Sequence, residues 1–182
     1  SNGFKLYPCC LSAHSAIDAV LSMRAKWRVR AEDIDEIKVG TVPIVLDNLA
    51  YQEPVNITQA RFSMPFCLSR ALTEGQVTLE NFSANRLERT QMKELMKRVT
   101  LYLDPEMSSL GYRGTENSRV TIITRDKQII SERVDAARGH PFNPASEDEL
   151  RNKFLQCSKP TLAEQEAVKL IAVLENFKGL PN

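Results

Sequence analysis

The feature that most limits the fold is a block of β-forming sequence in the second half of the chain. It contains residues 99–103 and then two runs rich in Val, Ile and Thr, residues 120–125 and 128–134. Only Asp126 and Lys127 separate the two runs, and so short a polar link predicts a β-hairpin. Because these strands are grouped together and do not alternate strictly with helices, the sequence favours an α+β fold. We expect a mostly antiparallel sheet of about four strands with helices packed on one face.

The remaining elements are predicted on either side of this block. Residues 34–42 partly alternate between apolar and polar side chains and are predicted to be the fourth strand. Residues 43–58 and 105–117 contain proline and polar or glycine residues and are predicted to be loops. The predicted helices cover residues 14–29, 63–75 and 85–98, a short turn at 78–82, and two segments opened by capping boxes at Ser146 and Thr161.

The C-terminal helix differs from the others in composition. Apart from Lys169, residues 167–174 are apolar, and a helix that is apolar on most sides is normally buried. Such a helix belongs either at the centre of its own core or against another domain or subunit. The chain also starts abruptly in an apolar and aromatic stretch, so we expect it to be part of a longer protein. We therefore divide it into an α+β domain, residues 3–157, and a C-terminal helical segment, residues 158–182.

Composition excludes several classes of partner. The 182 residues carry 24 Lys and Arg against 23 Asp and Glu, a formal net charge of +1. This balance gives no support to bulk electrostatic binding of nucleic acid or a membrane surface, and no apolar run approaches the ~20 residues that span a bilayer. The four cysteines include no CxxC pair, so neither a disulfide framework nor a zinc site is indicated. A reducing, cytoplasmic setting is expected.

The densest group of reactive side chains lies near the start of the chain and comprises Lys5, Tyr7, Cys9, Cys10 and His14. Lys5 and His14 are candidates for carboxylate binding or proton transfer. Nothing in the sequence indicates that the two cysteines are activated nucleophiles. The alternative interpretation is a buried aromatic and proline corner in which the histidine is fully hydrogen-bonded.

Two further residues are candidates of lesser weight. Arg61 precedes the predicted Ser63 helix and is a candidate anion ligand, although an exposed arginine is more often merely solvated. His140 lies between Gly139 and Pro141, and a turn position is the favoured interpretation. The sequence has no HExxH, P-loop, GxGxxG or GxSxG motif, which removes the commonest zinc-protease, nucleotide-binding and serine-hydrolase classes.

Three stretches of the chain resemble segments of one known family and occur in the same order. Residues 5–19 resemble its K-x-Y-P-x-C-x-x-x-H-x-x-x-D-A segment, and residues 59–66 are similar to its A-x-F-S-x-x-Y segment. Residues 139–154 resemble its segment G-x-P-x-N-P-x-S/T-x-x-E-L-x-x-K-F. The family is MmgE/PrpD. Each match is weak alone, whereas the ordered set is fairly specific.

The resemblance implies that the chain is the smaller, C-terminal domain of a two-domain lyase or isomerase. Family members dehydrate, decarboxylate or epimerise small di- and tricarboxylates by proton abstraction, without a metal or another required cofactor. Their active site lies between this domain and an N-terminal helical domain, against which residues 158–182 are expected to pack. The resemblance also implies a homodimer, and an isolated chain that is inactive because half of its active site is absent.

The resemblance further implies roles for individual residues. Lys5 and His14 match the family's catalytic lysine and histidine, although their separate roles stay open. Lys5 and Arg61 offer the fixed cations that a polycarboxylate needs. Phe66 matches a substrate-binding position that is often tyrosine in the family, so the substrate of one member does not transfer directly. The missing hydroxyl leaves an alternative, a non-catalytic α+β protein-interaction module.

Overall fold

The structure is a computed structural model that describes residues 3–83, 86 and 90–176. Its strands are β1 Ile34–Thr41, β2 Val99–Leu103, β3 Ser118–Thr124 and β4 Ile129–Val134. Its described α-helices are α1 His14–Trp27, α2 Pro43–Asn48, α3 Ile57–Arg61, α4 Met64–Glu74, α5 Thr90–Met96, α6 Pro105–Ser109, α7 Glu147–Ser158 and α8 Glu164–Glu175. Short 3-10 helices lie at Leu11–Ala13, Ala31–Asp33, Leu79–Phe82 and Gly111–Glu116.

The four strands form one mixed sheet in the order β2–β1–β3–β4. β3 pairs antiparallel with both β1 and β4, whereas β2 pairs parallel with β1. The predicted α+β class and the mostly antiparallel sheet of about four strands are confirmed. The parallel pair requires a long crossover, because parallel neighbours cannot be joined by a tight turn. Helices α2 to α5 lie within that crossover.

The β3–β4 hairpin is confirmed, and its turn depends on one left-handed residue. Lys127 has φ +66°, and its N–H donates to the Thr124 carbonyl at 2.9 Å. The Thr124 N–H donates in turn to the Gln128 carbonyl at 3.0 Å. These bonds close the turn and fix the register of the two strands.

One face of the sheet is buried and carries the core. Ile37, Val39, Val120 and Ile122 are completely buried, while the alternate positions of β3 are only partly covered. Helix α1 packs against β3 and β4, and α4 lies beside α1 and reaches β2. The predicted α4 is confirmed at both ends. The Ser63 hydroxyl accepts from the Phe66 N–H at 3.2 Å, and Gly75 ends the helix in the left-handed region.

The two predicted loops were wrong in part, because both contain short helices. Helices α2 and α3 occupy much of the first loop, and α6 is followed by a 3-10 helix in the second. Pro43 and Pro105 are the first residues of α2 and α6, where a missing N–H costs no hydrogen bond. Asp104 caps α6, since its carboxylate accepts from the N–H groups of Glu106 at 2.9 Å and Met107 at 3.2 Å.

The prediction that Thr161 caps the last helix was also wrong. The Thr161 hydroxyl donates to the Ser158 carbonyl at 3.1 Å and so closes the turn after α7. Helix α8 begins at Glu164, and the Glu166 carboxylate accepts from the Ala163 N–H at 3.1 Å. The predicted helix over residues 85–98 is seen as α5, whereas positions 84, 85 and 87–89 lie outside the described residues. Among the described residues, no helix combines the length and apolar content needed to cross a bilayer.

Candidate active-site corner

The segment before α1 is held at both of its ends. The Phe4 N–H donates to the Gly139 carbonyl at 2.8 Å, and the Cys10 N–H donates to the Arg61 carbonyl at 2.9 Å. Gly139 has φ +89°, and a Cβ there would lie 2.1 Å from the Phe4 carbonyl oxygen. Only glycine fits so close an approach. We call the surface formed by this segment and the elements that it touches the N-terminal corner.

His14 is the first residue of α1 and is completely buried beneath this segment. Its ring lies edge-on to the Tyr7 ring, with centroids 5.1 Å apart. Neither ring nitrogen has a hydrogen-bond partner among the described residues. A buried polar group without a partner is costly, of the order of 1–3 kcal/mol. The fully hydrogen-bonded histidine of the alternative interpretation is therefore not what the described residues contain.

A buried tyrosine and aspartate form the inner wall of the corner. The Tyr7 hydroxyl donates to Asp18 on α1, and the Arg138 N–H donates to the other carboxylate oxygen at 2.6 Å. Burial is the main cause that raises the pKa of Asp18, and the two donors oppose it. Burial, together with the Asp18 charge, raises the pKa of Tyr7 far above its usual range. Tyr7 is therefore a neutral donor and not a base.

Cys9 and Cys67 bring two buried thiols together in the same corner. The Cys67 thiol is the main cause that lowers the pKa of Cys9, and His14 and Lys5 lower it further, while burial acts in the opposite direction. The pKa of Cys67 is raised well above its usual value by Cys9 and by burial. Cys9 is therefore the thiol that ionises first, which sequence reasoning missed because Cys67 lies far along the chain.

A cleft of about 280 Å³ opens beside the corner. Lys5, Arg138 and His140 line it together with Glu116. The His140 Nδ1 accepts from the Phe142 N–H at 3.1 Å, and its Nε2 lies 3.3 Å from Glu116. The Lys5 ammonium is exposed and forms no hydrogen bond or ion pair with the described residues, so it is available to an anion entering the cleft.

One known protein family matches a region that contains most of the segments described above. The sequence profile of the MmgE/PrpD C-terminal domain matches residues 7–178. The chain belongs to the MmgE/PrpD family. The resemblance identified from the sequence motifs is therefore confirmed.

Two curated relatives of this MmgE/PrpD domain carry the name cis-aconitate decarboxylase. The protein from Mus musculus is 27% identical over 183 residues, and the alignment covers 97% of this chain and 37% of the relative. The protein from Homo sapiens is 24% identical over 180 residues, with the same two coverages. The chain thus spans a little over one third of the length of these relatives, which are enzymes of the lyase type.

The third MmgE/PrpD motif forms a clamp behind the corner. The Arg138 guanidinium forms an ion pair with Glu149 on α7, and the Arg138 Nε donates to the Glu149 carboxylate at 3.0 Å. The guanidinium also donates to the Asn143 side chain at 3.0 Å. The hydrogen bond from the Arg138 guanidinium is the main cause that lowers the pKa of Glu149 to about 2. His140 lies in the turn that this clamp supports, in agreement with the favoured interpretation. Arg138 itself was missed, because its bond to Asp18 joins segments that are 120 residues apart in the chain.

The four predicted site residues of this MmgE/PrpD domain do not all lie together. Lys5 and His14 both act on Cys9, and the Arg61 carbonyl holds the neighbouring Cys10, so these three belong to the corner. Phe66 is completely buried. Its ring centroid lies 5.4 Å from the Phe82 ring centroid and 5.1 Å from the Arg70 Cζ. Within the described residues, no three His, Cys, Asp or Glu side chains are grouped as a metal site requires.

Proposed function

We propose that this chain is the C-terminal domain of a lyase or isomerase that acts on small di- or tricarboxylates without a required cofactor. The reaction class is dehydration, decarboxylation or epimerisation that begins with proton abstraction next to a carboxylate. Membership of the MmgE/PrpD family and the name of the two relatives support the class. The observation that carries the proposal is that the exposed Lys5 and the buried His14, whose ring nitrogens have no hydrogen-bond partner among the described residues, both act on Cys9 in the same corner.

Lys5 is the proposed contact with substrate. Its free ammonium at the cleft can neutralise a carboxylate, and it can stabilise the negative charge that develops when the neighbouring proton is removed. Arg61, exposed at the end of α3, is the proposed second cation. Two fixed cations suit a substrate with two or three carboxylates.

His14 is the proposed partner of Lys5 in proton transfer. A base must come within about 3 Å of the proton that it removes, and His14 is sealed beneath Tyr7 and Cys9 in the described chain. Its participation therefore requires the segment before α1 to open, or requires His14 to act through a neighbouring group. Phe66, inside the core, is proposed to shape the wall behind the site.

The other half of the site is proposed to come from an N-terminal helical domain of the same polypeptide. The relatives are almost three times as long as the matched region, which supports this proposal. A homodimer is proposed on the same family grounds, and a cytoplasmic location is proposed from the cysteine content, which gives no disulfide framework. The 182-residue chain alone is then expected to have little or no activity.

The test uses the longer native protein and NMR to follow cis-aconitate, 2-methylcitrate, citrate and iminodisuccinate. We expect turnover of one of them, and none by the 182-residue chain alone. K5A and H14A should each lower kcat at least about 100-fold with the protein still folded, whereas K26A, an exposed lysine on the far end of α1, should retain the wild-type rate. Wild-type rates in both K5A and H14A would remove these residues from the mechanism.

A non-catalytic interaction module is the second candidate. It is favoured by α8, on which Val168, Val173 and Leu174 are at least half exposed. The gene upstream of this chain distinguishes the two. A helical region of about 250 residues, beyond the size of a typical single domain, with acid and base side chains favours the enzyme. Its absence, together with no turnover of any polycarboxylate, favours the module.

A further inference from the structure

A second cavity lies at the opposite end of α1 from His14. Its volume is about 510 Å³, within the range of about 300–1,000 Å³ that is usual for small-molecule sites. Three arginines line it, Arg24, Arg28 and Arg30, together with Glu32 and an apolar wall that includes Leu72. Because α1 has 14 residues, this cavity is about 20 Å from the N-terminal corner along the helix.

The charges around the cavity do not cancel. Arg30 is already paired, with its guanidinium 2.7 Å from Asp33 and 3.5 Å from Glu32. Arg24 donates only its Nε, to the Leu72 carbonyl at 3.1 Å, which leaves its outer nitrogens free of hydrogen bonds to the described residues. The Arg28 side chain makes no hydrogen bond or ion pair with the described residues. Two guanidinium groups on one wall are therefore uncompensated.

The position of these two arginines on one cavity favours one shared ligand. Because both side chains line the same space, their like charges repel each other unless an anion lies between them. Guanidinium groups bind oxyanions with paired N–H donors. The volume exceeds what one small ion fills, and Leu72 and Val29 give an apolar surface for a carbon skeleton.

The backbone at Arg28 adds an independent observation. Arg28 ends α1 with φ +53° and ψ +34°, the left-handed conformation that glycine normally supplies at this position. A residue with a Cβ pays about 1–2 kcal/mol for that conformation. The strained turn directs the chain so that Arg28 and Arg30 both reach the cavity. Strain of this kind is characteristic of ligand-binding positions.

We infer that the cavity at the C-terminal end of α1 binds a multiply charged oxyanion, of the phosphate-ester or polycarboxylate type, through Arg24 and Arg28. This site is separate from the N-terminal corner and does not depend on the proposed reaction. The alternative is that both arginines only interact favourably with the C-terminal end of the helix dipole and bind no anion. The two roles make different predictions for the same variants.

The test measures binding to the 182-residue chain by NMR, from the arginine Nε–Hε signals of the labelled protein. Pyrophosphate, inorganic phosphate and citrate are the probes, with sodium chloride at matched ionic strength as reference. We expect saturable shifts of the Arg24 and Arg28 signals with at least one probe and none with chloride. Tighter binding of pyrophosphate than of citrate assigns the site to phosphate esters, and the reverse order assigns it to polycarboxylates.

Two variants separate binding from folding. R28G removes the guanidinium and relieves the left-handed strain, so the midpoint of urea unfolding should be no lower than that of the wild type. R24Q keeps a polar side chain over the end of α4. Each should weaken binding about tenfold or more, the loss expected for one charged hydrogen-bonding group.

Lys26 provides the matched control. It lies in the same turn of α1 but is directed to Glu132 at 3.0 Å and to the Trp27 ring at 5.6 Å, so K26Q removes an equal charge outside the cavity. K26Q should bind as the wild type does. No saturation by about 10 mM probe, wild-type binding by R28G, or equal weakening in K26Q and R28G would overturn the inference.

Discussion

Two thiols that share a buried contact cannot both ionise, and their surroundings decide which one does. Cys9 faces the cationic Lys5 and the His14 ring, whereas Cys67 faces Cys9 and Cys10 on the fully buried surface of α4. The negative charge therefore resides on Cys9. At the scale of the residue, Cys9 is therefore the most easily ionised thiol of the corner, although its side chain is only 5% exposed.

This asymmetry predicts an unusual pH dependence for alkylation of Cys9. The pKa of Cys9 is lowered to about 6, so its reaction with iodoacetamide should be half-maximal near pH 6, although burial makes it slow. C67A removes the largest cause of the lowered pKa and should move the midpoint upward. Peptide mass spectrometry measures both. The chain unfolded in urea is the control and should show the ordinary thiol midpoint of about 8.5. A folded-state midpoint equal to that control would contradict the assignment.

At the scale of the element, the junction between the Gly139 turn and α7 combines a helix cap with an ion pair. The Ser146 hydroxyl accepts from the Glu149 N–H at 3.2 Å, and the Glu149 carboxylate accepts from the Ser146 N–H at 2.7 Å. The same carboxylate holds Arg138. One glutamate therefore begins the helix and also fixes the turn that carries His140.

Acid should weaken this junction in a defined pH window. The pKa of Glu149 is about 2 in the folded chain and about 4.5 when unfolded, so its stabilising contribution is complete above pH 4.5. The contribution is lost as the pH falls from about 4.5 through about 2. The difference in the free energy of unfolding between wild type and E149Q should shrink over that range. Urea denaturation at several pH values measures it, and a difference that is constant down to pH 2 would exclude the ion pair as its source.

The same elements show what local sequence can predict. The Ser63 and Ser146 caps, Gly75 and the β3–β4 hairpin were predicted because each signal lies within a few residues of its element. The short helices α2 and α6 were missed because proline at a first helical position looks like proline in a loop. The parallel β1–β2 pair and the contacts Cys9–Cys67 and Asp18–Arg138 depend on residues far apart in the chain, which no local pattern reveals.

At the scale of the whole molecule, α8 contributes little to the main core. Only Ala167 and Ile171 are buried on it, and α7 is its main neighbour. Its Arg151–Glu175 ion pair, at 2.5 Å, is half exposed and therefore weak. The expected boundary between residues 157 and 158 falls at the last residue of α7, and the division into two parts stays a prediction.

Truncation after Lys159, which leaves α7 whole and removes residues 160–182, tests whether the C-terminal helical segment is separate from the core. The shortened chain should keep the sheet and α1, and its thermal midpoint should fall by no more than about 5 °C, because few core contacts are removed. The matched control, a double substitution V168S/V173S in the full chain, should leave the midpoint nearly unchanged, since both side chains are at least half exposed. Circular dichroism during heating measures all three proteins. Loss of cooperative unfolding after truncation would show that residues 160–182 belong to the core.

The bonds from Phe4 to Gly139 and from Asp18 to Arg138 also constrain the time at which the corner can form during synthesis. A ribosome that adds about 5–20 residues per second reaches position 139 roughly ten seconds after it has made α1. During that interval the apolar face of α1 has neither β3 nor β4 to cover it. Ile17, Val20 and Met23, which are completely buried in the folded chain, therefore lack these strands until then, and the segment before α1 is among the last parts of this chain to reach its final position.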